Sequence, residues 1–451
     1  MTSLAVARRR AEPVPELGSL FERVRQRLPG REVETLARIR ETAFARFLEL
    51  GIPTQKAEEW KFSPVLRVIN RPMALARRPD LPLAELSRWF AGGTSARRLV
   101  FANGHPLPEL SHLGGLPEGV RITSLSRAIA EMPGRVAEVL AGLDDGRSFT
   151  FLNTALTECG ALIEVADGVE VEAPLQLLFL SAGEASATMT HPRLYLRLGE
   201  KASLHLLEVH AAAVPGPVLT NLVFQIDLGA GARLVREKLQ LGDEATSFLG
   251  RTVMRLETGA RLLDNVATLG GGFVRNESEL VLDGPGIEAL LNGVYMPRGH
   301  EHVDTLIRVH HRAPRCHSNQ FYKGVIEDKA HAAFAGKIIV HRDAQKTDAY
   351  QANNNLLVSD EAEVDTKPEL EIYADDVRCS HGATVGDIDA QALFYLRSRG
   401  LPKEAAESLL VYAYAGEVLE RFRDPVLVGL ARQAVLERVP GGEMLEAEGL
   451  V

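Results

Sequence analysis

A recurring turn limits what the middle of this chain can fold into. An apolar residue, three mostly small or polar residues and then alanine begin a new alternating run. The pattern occurs at Leu198–Ala202, Leu228–Ala232, Leu256–Ala260, Ile326–Ala330 and Val358–Ala362. The first alanines are spaced by 30 and 28 residues and the last two by 32. The 70 residues from Ala260 to Ala330 leave room for two irregular copies. Runs such as Leu194–Leu198 and Ser203–Val209 alternate apolar and polar positions, the period of a strand. A tight turn repeated at this spacing predicts a β-solenoid, in which each coil buries its inner face against its neighbours. A β-sandwich also uses short strands and Gly-rich turns but needs no repeating turn. No long helical pattern interrupts about 160–378, which excludes a doubly wound α/β fold.

Both ends read as helix. Leu17, Leu20, Phe21, Val24 and Leu28 form one apolar stripe; Val33, Leu36, Ile39, Ala43, Phe47 and Leu48 form a second. Beyond Gly386, Asp387 or Asp389 can cap a helix carrying Ala392, Leu393 and Leu396 that stops at Gly400. Pro402 opens another with Ala406, Leu409, Leu410, Ala413, Val418 and Phe422 on its stripe, and Asp424-Pro425 a third. The chain therefore divides into a mostly helical region, 1–100, a β-helix core, 101–384, and a C-terminal helical region, 385–451. The tail after Gly442 reads as loose.

Composition excludes several classes. Hydrophobic residues at 45% supply a large core, so wholesale disorder is ruled out. A formal charge of −9 disfavours nucleic acid, whose phosphates need clustered cations. The three cysteines, Cys159, Cys316 and Cys379, are too few and scattered for a disulfide framework or a zinc finger, and a reducing cytosol is expected. No apolar run reaches the ~20 residues of a membrane span. The N-terminus has basic residues without the apolar stretch of a secretory signal. Phosphate-loop, dinucleotide-fingerprint and nucleophile-elbow motifs are missing.

Four groups of residues could carry chemistry. Trp60-Lys61-Phe62 either anchors its loop on the core or meets a partner. His300 and His302, two apart, would share a strand face and could ligate metal; a solvated histidine pair is the other reading. Gln351–Asn355, placed between strands, reads as a stacked amide ladder or a cleft. Cys379 and His381 sit where β structure gives way to helix, after Asp375 and Asp376. A thiol and an imidazole on one face form a soft site for iron, zinc or sulfur species; an inert cysteine beside a capping histidine is the alternative. Two ligands cannot close a tetrahedral site, so metal held there would be transient or shared with another chain.

The string from Lys346-Thr347-Asp348 through Asn353–Leu357, Glu363–Pro368, Leu370–Val377 and Cys379–Gly386 to Phe394–Gly400 resembles the SufB/SufD family of iron–sulfur cluster assembly proteins. The match spans about 345–422, and Glu59–Phe62 supports it. Ser380, and an N-terminus without a Cys-rich motif, fit the SufD branch of that family. The resemblance implies a right-handed parallel β-helix between helical ends. It implies a non-catalytic scaffold paired with a SufB-like subunit and a SufC-like ABC ATPase, the latter docking on about 387–439. His381, with Cys379 beside it, would face the partner where a nascent cluster forms. The isolated chain would then hold no stable cofactor, only a transient iron–sulfur cluster within the complex, and could form a homodimer on its own. Two other classes remain open: a β-helical polysaccharide lyase or hydrolase, and a metalloenzyme built on His300 and His302.

Overall fold

The structure, a computed structural model, describes residues 11–12, 15–93 and 96–447. The reading that the N-terminus lacks a secretory signal rests mainly on residues 1–10, which lie outside the described residues.

Alternating strands wind the chain into about 8 coils. The first three coils are β1 (Cys159–Val165) with β2 (Glu170–Ala182), β3 (Pro192–Leu198) with β4 (Ser203–Val214), and β5 (Val218–Leu228) with β6 (Arg233–Leu241). Next come β7 (Ser247–Leu256) with β8 (Arg261–Thr268), and β9 (Phe273–Leu282) with β10 (Glu288–Tyr295). The last three are β11 (His302–His311) with β12 (His317–Ile326), β13 (His331–Val340) with β14 (Asp348–Leu357), and β15 (Glu363–Ile372) with β16 (Arg378–Gly386). Odd-numbered strands stack in parallel into one sheet and even-numbered strands into the other. Leu194, Leu196, Phe224, Ile226, Leu206 and Leu234 are among the residues that fill the space between the two sheets.

The recurring alanines are corner residues. Ala202, Ala232 and Ala260 are fully buried, and each N–H bonds the carbonyl three residues back. The residue before each turns left-handed: Lys201, Gly231 and Gly259 have φ of 56°, 68° and 65°. The 70-residue interval hides the same corner in other residues, Ile287 after Gly286 and Cys316 after Arg315. One part of the sequence reading needs correction. Ala330 and Ala362 precede odd-numbered strands and so lie on the opposite edge of the solenoid. Both edges bury the corner residue where stacked turns meet, and alanine fits at each, so one motif marks two places.

The helices cover the outer faces. Helices α1 (Pro15–Val24) and α2 (Glu34–Leu50) join Trp60 and residues of the odd sheet in one cluster. Three helices fall inside the segment read as β: α3 (Leu125–Glu131), α4 (Pro133–Ala141) and α5 (Ser148–Leu156). Continuous coiling starts at Cys159, although Arg97–Ala102 and Val120–Ser124 already pair with the two sheets. C-terminal to the coils lie α6 (Ala390–Ser398), α7 (Lys403–Leu419) and α8 (Pro425–Leu436). Asp389 and Asp424 cap α6 and α8 through backbone N–H groups. Val411, Ala415, Val418, Leu427 and Ala431 seal α7 and α8 onto the even sheet. The tail read as loose begins with a short helix, Gly442–Ala447. Among the described residues no helix is long and apolar enough to cross a membrane.

Candidate functional site

The last coil sets the site apart. Among the described residues, strands β15 and β16 are the terminal strands of their sheets and pair only with β13 and β14. Their outer edges therefore carry a row of unpaired backbone groups. In β16, Cys379 lies beside Ala349 and His381 beside Gln351 of β14. The two side chains share a face, as alternation requires. Cys379 is half-buried against Ile338, Val340, Ala344 and Ala374, whereas His381 is exposed. Burial pushes the Cys379 thiol up; nearby Asp348 pushes the same way, and a backbone contact from Ala349 opposes both. The thiol is therefore protonated near neutral pH, and binding a metal there would release its proton. Asp375 and Asp376 occupy the turn before β16, and Asp376 is fixed through its backbone N–H to Gln345 at 2.9 Å. Among the described residues no group of three or more His, Cys, Asp or Glu side chains converges on a metal position.

Apolar side chains surround this edge without cover. Tyr373 is 60% exposed, Phe394 74% and Tyr395 56%, and Ile372 and Val385 are exposed as well. Helix α6, which carries Phe394 and Tyr395, buries none of its residues. The stripe of Ala392, Leu393 and Leu396 expected to pack is thus only half-covered in this chain.

The structure separates the histidine pair. His300 lies in an exposed turn, while His302 opens β11, buried and stacked on Phe273 at 5.1 Å. Burial lowers His302 to about 3, with His331, Arg275 and Arg67 adding to the effect. The pair forms no joint metal site. Trp60 is an anchor: it is buried, with the Arg275 guanidinium 3.9 Å from its ring. Gln351–Asn355 is not an inter-strand loop but part of β14, with Asn353 and Asn355 turned inward.

Sequence reasoning missed a charged cluster between the sheets. Arg236 donates to Glu208 at 2.8 Å and to Asp264 at 2.9 Å, and His210 meets Glu208 at 2.7 Å. Lys238 lies 3.8 Å from Glu208 and donates to Asn276 at 2.8 Å. A signal was present: Glu208 and His210 continue the inward positions of Leu204 and Leu206 in a run that otherwise reads as a plain strand.

Comparison with known proteins agrees with this architecture. Residues 179–414 match the family model described as SUF system FeS cluster assembly, SufBD core domain. Residues 14–177 match the SufBD protein N-terminal region. The chain belongs to the SufBD family of the SUF iron–sulfur cluster assembly system. It is 33% identical over 401 residues to iron-sulfur cluster assembly protein SufD of Escherichia coli (strain K12), covering 88% of this chain and 92% of that protein. A SufBD family protein of Synechocystis, slr0076, is 30% identical over 417 residues, covering 90% and 92%. SufD of Bacillus subtilis (strain 168) is 26% identical over 298 residues, covering 65% and 67%. A role in SUF cluster assembly, as a member of a SUF complex, follows from this family. The polysaccharide-lyase alternative loses its footing, since a β-helix alone carries no activity.

Proposed function

We propose that this chain is a non-catalytic scaffold subunit whose terminal coil is completed by a SufB-like subunit. The observation that carries the reading is the open end of the solenoid, where unpaired strand edges, exposed aromatics and the Cys379/His381 pair coincide. A second chain laid along β15 and β16 would satisfy their backbone groups and bring further ligands to the pair. The nascent iron–sulfur cluster is the cargo of that shared site, held transiently, and Cys379 gives up its proton on binding. The same edge would accept a second copy of this chain when the SufB-like subunit is absent. Helices α6 to α8 receive a SufC-like ABC ATPase, which supplies the nucleotide chemistry that this sequence has no motif for. The three thiols are unpaired, which fits a cytosolic home.

Affinity purification of the tagged chain from its native host tests the assignment. A SufB-like chain and an ABC ATPase should co-purify, and Val385→Asp, a charge on the open edge, should release the SufB-like chain first. Purification of the chain with neither partner would contradict the reading.

A further inference from the structure

The open coil needs an anchor, because β16 is exposed along nearly its whole length and α6 beyond it buries none of its residues. The anchor begins three coils away. Tyr295, at the end of β10 in the fifth coil, is buried between the sheets. Its ring passes over Gly324 of the sixth coil; a Cβ at Gly324 would collide with the ring and with Asn355 Oδ1. Tyr295 thereby reaches β14 in the seventh coil and closes a ring of hydrogen bonds. The Tyr295 hydroxyl donates to Asn355 Oδ1 at 2.6 Å. Asn355 Nδ2 donates to Asn353 Oδ1 at 2.8 Å. Asn353 Nδ2 donates back to the Tyr295 oxygen at 2.8 Å. Every donor runs in the same sense, so each bond polarises the next.

Two contacts lead from this ring into the last coil. Thr366 Oγ1 of β15 donates to Asn353 Oδ1 at 2.8 Å. Asn355 Nδ2 also donates to the Thr384 carbonyl of β16 at 3.3 Å. On the outer face the Thr384 hydroxyl donates to Asn354 Oδ1 at 2.9 Å, so Thr384 is gripped from both sides. His381 lies three residues earlier on the same strand, roughly 10 Å away at strand rise.

We propose that Tyr295 is a positioning residue for the Cys379/His381 strand, acting through Asn353 and Asn355 to fix β16 where no further coil stacks on it. This rests on the reading of that pair as the partner-facing site. Tyr295 touches no cargo. Its hydroxyl sets the place of the strand that does.

The test uses the isolated chain, so it does not depend on cluster chemistry. Tyr295→Phe keeps the ring and removes the hydroxyl. Iodoacetamide labelling of Cys379 should quicken about tenfold, the factor expected from losing about 1.4 kcal/mol of hydrogen bonding. Deuterium uptake over 378–386 should rise, while buried Cys159 keeps its wild-type rate. Gly324→Ala, which obstructs the ring, should act in the same direction. Tyr322→Phe removes another buried phenol outside the ring of bonds and should leave Cys379 unchanged. Wild-type labelling and exchange in Tyr295→Phe would overturn the proposal, as would an equal effect of Tyr322→Phe. If the labelling results hold but cluster assembly ignores His381→Ala, the positioning role stands and the site assignment fails.

Discussion

Replacing Arg236 with methionine tests whether the charged cluster between the sheets is held together as the geometry indicates. The guanidinium is fully buried, with Nε and Nη2 on Glu208 at 3.0 and 2.8 Å and Nη1 on Asp264 at 2.9 Å. Methionine fills similar space but leaves two buried carboxylates: Glu208 keeps Lys238 at 3.8 Å and His210 at 2.7 Å, while Asp264 keeps only the weaker influence of Lys238. Breaking a buried pair from one side costs about 3–5 kcal/mol. The loss should depend on pH. Burial pushes Asp264 up, and Arg236 is the main influence holding it down. Without Arg236, Asp264 takes a proton in the folded state that the unfolded state does not hold above its ordinary value of about 4. The folded variant then binds more protons than the unfolded chain, so its stability falls as pH rises, by about 1.4 kcal/mol per unit. Urea melts at pH 5, 6 and 7 should show the deficit largest at pH 7 and shrinking toward pH 5, with m unchanged. Arg236→Met/Asp264→Asn should lose that dependence. A deficit below about 1 kcal/mol, or a pH slope equal to that of the wild type, would refute the reasoning.

Two further substitutions probe the coil geometry. Gly160 has φ of 129°, and a side chain there would strike the Arg193 carbonyl of the next coil, so Gly160→Ala should abolish soluble folded protein; normal expression and melting would contradict this. His302 is held neutral at about 3, so the folded state resists a proton that the unfolded state accepts below about 6.5. Stability is therefore lost as pH falls through that window. His302→Phe, which also removes a buried nitrogen with no partner, should flatten the acid limb of the stability curve at little cost near pH 7.

The fold was legible where geometry forces one residue type. A small residue at a stacked corner repeats as alanine, so Ala202, Ala232 and Ala260 announced the coils. The signal faded where Ile287 and Cys316 took the same corner, because what the turn needs is the left-handed residue before it, here Gly286 and Arg315. Helix α5 escaped notice because it is buried on every side from Phe149 to Leu156 and shows no amphipathic stripe. On α6 the opposite happened: a stripe was visible in Leu393 and Leu396, yet both stay only half-buried in this chain. The pairing of Cys379 and His381 on one face followed from their spacing. The Tyr295–Asn353–Asn355 ring did not, since its members lie far apart in sequence and meet only through strand register.

The central claim is that His381 on the open coil serves cluster assembly in a complex. The most direct measurement is iron and sulfide content of the complex reconstituted with SufB-like and SufC-like partners, comparing wild type with His381→Ala. The account predicts an intact complex by size-exclusion chromatography with cluster content reduced at least several-fold. Wild-type cluster content in an intact His381→Ala complex would contradict it.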